Sequence, residues 1–316
     1  MTAPGGAGRA PRAVVPALGI VQILAWGCSY YLPAVLAGPI AADTGWPMAG
    51  ILGGLSAGLF VAAIVSPRVG EAILRHGGRP VLAGSSLLLG GGLLIMAAAP
   101  NLAVFLTGWV VVGAGMGAGL YDAAFSTLAG LYGQRARPAI GALTLWGGFS
   151  STICWPLSAM LVAHLGWRGA CAGHAAIQFG LCLPLILLAL PRGKGPAASA
   201  RGSAPPTRLS ADERKGLRLL GWIMILTGLV TTIVSVQLMV LLAGRGIGLA
   251  QAVAMGALIG PGQVAARLVE MAGRGRHPAI VTMIAALALI AAGMVLLGWG
   301  RPLMALAVIL YGAGNG

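Results

Sequence analysis

The sequence predicts an all-α polytopic membrane protein built from two bundles of spanning helices. Three observations carry this. Of 316 residues 58% are hydrophobic, only 8% are charged, and the apolar residues gather into long runs separated by short basic gaps. A hydrocarbon layer about 30 Å thick needs about 20 apolar residues of helix to cross it, so each run suffices for one span. Charge this sparse cannot cover a water-soluble globule. It is also the reverse of the polar, highly charged composition of a disordered chain. The 52 glycines follow no three-residue period, which excludes a collagen-like rod.

Residues 1–12, rich in Gly, Pro and Ala with Arg9 and Arg12, read as a disordered cytoplasmic lead-in. Nine complete runs follow, at 13–38, 47–66, 80–99, 102–131, 139–163, 167–190, 217–243, 248–271 and 278–298, and a tenth opens at Pro302. The first run is too long for a cleaved signal peptide and lacks a convincing cleavage site. Residues 13–190 therefore predict an N-terminal six-helix bundle. The stretch 191–216 is polar, basic and rich in Pro, Gly and Ser, which predicts a flexible cytoplasmic linker. Residues 217–316 predict a partial C-terminal bundle.

The halves echo each other. Gly45-Trp46 opens the second span and Gly248-Leu249 the eighth, and each span ends in a basic gap, at Arg79-Pro80 and His277-Pro278. Such an echo fits a parallel repeat about an axis along the membrane normal. A partner for six spans needs six more, so the expected fold is 6+6. About nine and a half helices are present, and the sequence is expected to be truncated in its tenth.

Orientation follows from the basic residues. With the N-terminus inside, the cytoplasmic segments hold Arg9, Arg12, Arg68, Arg75, Arg79, Arg135, Arg137, Arg192, Lys194, Arg201, Arg208, Arg214, Lys215, Arg218, Arg274 and Arg276. The outer gaps hold only Arg168, Arg245 and Arg301. The expected location is a cell membrane, the bacterial inner membrane, crossed many times with the N-terminus cytoplasmic. The net charge of +14 is thus an orientation signal. It is not the one-sided basic face of a nucleic-acid binder, and no nucleic-acid partner is expected.

Cys28, Cys154, Cys171 and Cys182 all lie inside apolar runs with no paired spacing, so they read as small packing residues. His164 and His174 lack cysteine or carboxylate company, so neither a metal nor any other cofactor is expected. No glycine-rich run matches a phosphate loop. No cluster of His, Asp, Glu or Ser/Lys sits at one depth, which disfavours a membrane enzyme and leaves no catalytic residue to name.

Six spans, a linker and further spans is the layout of a secondary transporter working by alternating access. Gly50, Gly54 and Gly58 share one face of the second span, and Gly113, Gly115, Gly117 and Gly119 stud the fourth. Small residues so spaced let helix backbones approach closely in lipid, either for static packing or as smooth faces that slide. Ionisable groups at membrane depth cost on the order of 3 kcal/mol each, so they usually face a wet cavity or a partner. Two stand out. Arg267 either snorkels or pairs with Glu270, or its planar fork holds a substrate carboxylate. Asp122 is either structural glue or a buried charge that couples an ion. Trp26, Tyr30 and Tyr31 in the first span, and Trp146, Phe149 and Trp155 in the fifth, are either packing aromatics or cavity walls.

The gap after the second span reads Gly70-Glu71-Ala72-Ile73-Leu74-Arg75-His76-Gly77-Gly78-Arg79. It resembles the signature of the major facilitator superfamily, G-x-x-x-D-R-x-G-R-R. Gly70, Arg75, Gly77 and Arg79 match, Leu74 replaces the Asp, and Gly78 stands where Arg is frequent. The resemblance implies that Gly70, Arg75, Gly77 and Arg79 form a gating loop, with Glu71 one turn away from the missing acid. Within the superfamily the chain is most similar to the monocarboxylate and oxalate/formate porter branch. Gly27-Cys28-Ser29-Tyr30-Tyr31-Leu32-Pro33 is similar to its G-x-S-Y-x-x-P stretch. Gln263-Val-Ala-Ala266-Arg267 is similar to its D-x-x-x-R element, with Gln263 in place of the Asp and Ala34 where a Lys often follows the proline.

The resemblance implies a secondary active transporter, not an enzyme, carrying a small organic anion such as a mono- or dicarboxylate. Arg267, Gln263, Tyr30, Tyr31 and Trp26 are the expected substrate contacts. Asp122 is the expected ion-coupling group, with a proton or counter-anion as coupling partner. The expected working form is a monomer in the bilayer. The alternatives are a facilitator-type exporter of a drug-like or other metabolite, and a transport-inactive membrane sensor.

Overall fold

The computed structural model describes residues 13–193, 210–273, 278–299 and 303–315, and its ordered elements are helices without a strand among them. The expected lead-in 1–12 and residues 194–209 of the expected linker lie outside the described residues, as do Arg274, Arg276 and Arg301. The chain divides into two compact units, 1–202 and 203–316.

The first unit begins with α1 (Val14–Gly27) and α2 (Leu32–Thr44). The sequence reads as one span here, yet the helix breaks at residues 28–31. Pro33 has no N–H to give the carbonyl of Ser29, and its ring crowds that carbonyl. The Ser29 carbonyl accepts from the Leu32 N–H instead, at 3.2 Å. Gly45 ends α2 at φ 69°, a left-handed cap that a glycine adopts without a Cβ clash. Next come α3 (Met48–His76) and α4 (Gly78–Ala97).

Residues 102–189 are helical almost throughout. At 1.5 Å per residue a straight helix of that length would reach roughly 130 Å, far beyond one bilayer. Two glycines with positive φ divide it: Gly133 (φ 59°, ψ −128°) and Gly166 (φ 69°, ψ 177°). Three spans result. The fourth is α5 (Leu102–Gly119) and α6 (Tyr121–Tyr132), broken at Leu120. The fifth is α7 (Ala136–Gly148) and the first part of α8 (Ser150–Ile177), broken at Phe149. The sixth is the remainder of α8, a π turn at Gln178–Cys182 and α9 (Leu183–Ala189). The hydropathy runs locate these spans but not the breaks inside them.

Glycine contacts position α5. A Cβ on Gly113 would lie 2.6 Å from the Gly58 Cα, and one on Gly117 would lie 2.8 Å from the Ala62 carbonyl, both on α3. On its other side a Cβ on Gly115 would lie 2.9 Å from the Leu89 nitrogen of α4, and Gly92 of α4 meets the Gly108 carbonyl at 2.8 Å in the same sense. Backbone therefore packs on backbone, the favoured contact between helices in lipid. Buried Trp109 fills the space beside Gly54.

The second unit holds α10 (Ala211–Ala243), α11 (Leu249–Gly256), α12 (Ile259–Ala272), α13 (Ala279–Gly298) and α14 (Met304–Asn315). Helix α10 starts six residues before the apolar run because Ser210 and Glu213 form a capping box. The Glu213 N–H donates to Ser210 Oγ at 3.1 Å, and the Ser210 N–H to the Glu213 carboxylate at 2.7 Å. Helix α14 repeats the placement of α5. Gly312 packs on Ile259 of α12, and Gly293 of α13 packs on Tyr311, where a Cβ would lie 2.7 Å from the Tyr311 nitrogen. Thus α12, α13 and α14 of this unit match α3, α4 and α5 of the first.

Candidate substrate site

The break between α1 and α2 exposes the geometry of the first-span aromatics. The Tyr31 N–H reaches back to the Trp26 carbonyl at 3.1 Å, a wide turn that sets three rings side by side. Trp26 meets Tyr30 edge-on at 5.4 Å between centroids, and Tyr30 meets Tyr31 at 5.2 Å. The cluster extends to two other broken spans. Trp26 contacts Tyr121, the first residue of α6, at 5.1 Å, and Tyr121 stacks on Phe125. Tyr31 meets Trp155 of α8 edge-on at 5.7 Å, and the Trp155 indole N–H donates to the Tyr31 carbonyl at 3.0 Å. Gly147 is glycine because the Tyr121 ring lies against it. The expected residues Trp26, Tyr30 and Tyr31 thus stand together, joined by Tyr121, which composition and spacing did not single out.

Trp26 is half-buried, yet its indole N–H is buried and has no acceptor. Two buried amides share this condition. Gln22 Nε2 donates to the Gly119 carbonyl at 2.7 Å, and Gln178 Nε2 donates to Cys28 Sγ at 3.1 Å, but both Oε1 atoms lack a donor. An unmet buried polar atom costs about 1–3 kcal/mol. Gln22 stands one turn before Trp26 and Gln178 meets Cys28 two residues after it, and a ring face with a spare N–H and spare amide oxygens can stack a solute and take its polar atoms. A search limited to ionisable side chains misses Gln22 and Gln178. The available signal was an amide inside an otherwise apolar run.

Asp122 departs from expectation. It was read as a buried charge, and it is exposed, in the first turn of α6 beyond the Leu120 break. The break explains the difference, since α6 starts there and Asp122 stands in its first turn.

In the second unit, Gln263 is buried on α12 beside Gly262, which packs against the backbone of α14. Arg267 lies one turn further and is half-buried, and its Nε–H is buried without an acceptor. Among the described residues the ion pairs are Arg75–Glu71 and Arg168–Asp43, so of the alternatives for Arg267 the pair with Glu270 is not formed.

The expected gating residues adjoin one another at the α3–α4 turn. Arg75 meets Glu71 at 3.5 Å on an exposed helix face, an ion pair that contributes little. Gly77 holds φ 85° between the helices. A side chain on Gly78 would strike Thr127 of α6, which is why the arginine frequent at this place is absent. Arg79 donates from its guanidinium to the Leu187 carbonyl of α9.

At the far end of this unit Asp43 accepts from the Trp167 indole at 2.8 Å and from Arg168 at 2.7 Å. Arg168 also donates to the Ala99 carbonyl and lies over the Trp167 ring. His174, read as a lone histidine, shares a buried 2.8 Å hydrogen bond with Ser158. That bond links the fifth and sixth spans across Gly166. The four cysteines are buried free thiols.

Long apolar helices packed through glycine are those of a multi-pass membrane protein. The family model described as the Major Facilitator Superfamily matches residues 18–316. The chain belongs to that superfamily. No curated protein matches the sequence. Among solved structures it is similar to a D-xylose–proton symporter (TM-score 0.66, 11% identity, 96% of this chain and 79% of that one). It is similar to the human organic anion transporter MFSD10 (0.66, 20%, 96% and 83%). It is similar to the nucleoside transporter NupG (0.67, 14%, 95% and 79%). At these identities the likeness shows the fold alone.

Proposed function

We propose that this membrane transporter is a secondary active carrier of a small organic anion, a mono- or dicarboxylate, as in the monocarboxylate and oxalate/formate porter branch. The carrying observation is Arg267, a half-buried guanidinium on a spanning helix with a buried, unused Nε–H. A planar donor fork is suited to a carboxylate, and a charge at membrane depth with no carboxylate paired to it among the described residues calls for a soluble counter-ion. Gln263 adds an amide one turn before it. Trp26, Tyr30 and Tyr31 take the body of the solute. Gly70, Arg75, Gly77 and Arg79 act as the gating loop. The carrier works as a monomer in the bacterial inner membrane, with its N-terminus in the cytoplasm.

A second reading has its own support. The rings around Trp26 and the spare oxygens of Gln22 and Gln178 suit a neutral solute rich in N–H or O–H donors. Uptake into vesicles carrying the purified chain separates the two. A panel of labelled mono- and dicarboxylates, sugars and nucleosides is offered under a proton gradient. Carboxylate uptake lost in Arg267→Gln supports the first reading. Sugar or nucleoside uptake that survives Arg267→Gln supports the second and removes the anion assignment.

A further inference from the structure

We propose that the first unit binds an ammonium group of the solute where α1 meets the α5–α6 break. Joined to the carboxylate assigned to Arg267, on which this step rests, the ammonium makes the solute an aminocarboxylate.

Asp122 is the group that calls for a cation. Ten residues separate it from Tyr132 at the end of α6. At 1.5 Å per residue that is about 15 Å of helix, half the thickness of a hydrocarbon layer. Asp122 is exposed at that depth, and among the described residues it enters no ion pair. The spans around it have no cation to spare. The six apolar runs of residues 13–190 contain one Lys or Arg, Arg168, and Asp43 holds it. An unpaired carboxylate at membrane depth draws its counter-charge from solution.

The surrounding rings select an organic cation. Tyr121 precedes Asp122, stacks on Phe125 at 5.0 Å and meets Trp26 at 5.1 Å, and Trp26 meets Tyr30 at 5.4 Å. All four residues are half-buried, so part of each remains in reach of a solute. A small metal ion needs several oxygen ligands, whereas ring faces attract an alkylammonium and also cover its apolar body.

Gln22 adds an acceptor. It is fully buried one turn before Trp26, and its Nε2 donates to the carbonyl of Gly119, two residues before Tyr121. A carbonyl accepts only from the amide nitrogen, so the amide orientation is fixed and Oε1 is the atom left without a donor. An ammonium carries three N–H donors to a junction that holds a carboxylate, ring faces and a spare carbonyl oxygen.

The test measures uptake into vesicles holding the purified full chain. Labelled compounds are offered in pairs that differ only in the amine: alanine and propionate, 4-aminobutyrate and butyrate, phenylalanine and 3-phenylpropionate. The expected result is an uptake at least tenfold faster for the amine-bearing member of one or more pairs. That preference should fall to within twofold in Asp122→Asn and persist in Asp122→Glu. Asp122 is exposed, so Asp122→Asn should keep the melting temperature of the unmodified chain. Equal uptake within every pair, or a preference unchanged in Asp122→Asn, overturns the ammonium site and leaves the carboxylate reading standing. Amine uptake lost in Asp122→Asn but undiminished in Arg267→Gln removes the carboxylate reading and keeps the ammonium site. Uptake that depends on Na+ and not on the amine gives Asp122 to a metal ion and overturns the proposal. No uptake of any of these compounds overturns both.

Discussion

The backbone of Gly58 occupies the space a side chain on Gly113 would need, with 2.6 Å between a Cβ built on Gly113 and the Gly58 Cα. Neither atom is the movable end of a side chain, so α3 and α5 would have to separate. Gly113→Leu is expected to cost at least ~3 kcal/mol, the upper end of overpacking penalties. Gly53→Leu on the same helix α3, where a Cβ meets nothing within 4 Å, is expected to be neutral. Fluorescence-detected size exclusion after heating measures both. Equal survival of the two variants would contradict the packing.

Trp26 and Trp155 should part company when each becomes phenylalanine. The Trp155 indole satisfies the Tyr31 carbonyl, so Trp155→Phe should lower stability by about 1 kcal/mol. The Trp26 N–H meets no acceptor among the described residues, so Trp26→Phe should leave the melting temperature unchanged and lower transport. Thermal unfolding and vesicle uptake, run on the same preparations, check the pair.

Asp43 ties the end of α2 to Trp167 and Arg168, which follow the Gly166 turn. Asp43→Ala removes the acceptor of both donors and should lower the melting temperature. Asp43→Asn keeps one acceptor oxygen and should lower it less. The reverse order would show that the shared acceptor does not hold the joint.

Much of this organisation was readable from the residues. Apolar runs of bilayer length gave the spans, because lipid demands long helices and the sequence can supply them only with continuous apolar stretches. The glycine rows at 54–58 and 113–117 marked the α3–α5 contact, since only glycine permits it. The breaks were not readable from hydropathy, which averages over the one or two residues that decide them. Pro33 alone announces its break, whereas Leu120 and Phe149 break helices with ordinary apolar side chains. In the candidate site, Trp26, Tyr30 and Tyr31 were singled out by residue type. Tyr121, Gln22 and Gln178 were missed, because each meets its partner (Trp26, Gly119 and Cys28) across helices distant in sequence. The capping box at Ser210 and Glu213 lay in plain view within a stretch whose composition signalled a linker.

Thiol labelling tests the orientation. The four native cysteines are buried, so a membrane-impermeant maleimide should leave the folded chain unmodified and label it fully after denaturation. Ser203→Cys should then be labelled only from the cytoplasmic face, and Gly248→Cys only from the outside. Labelling of both from one face would contradict the alternation of basic gaps.

Arg267 offers the most direct test of the transport account. Counterflow of a labelled carboxylate is measured in vesicles holding the unmodified chain, Arg267→Lys or Arg267→Gln. Loss of a charge-assisted contact corresponds to roughly 1.5–3 kcal/mol, or about ten- to 150-fold. The account predicts a drop of that size in Arg267→Gln and a smaller one in Arg267→Lys, which keeps the charge but not the fork. Undiminished carboxylate exchange in Arg267→Gln would contradict it.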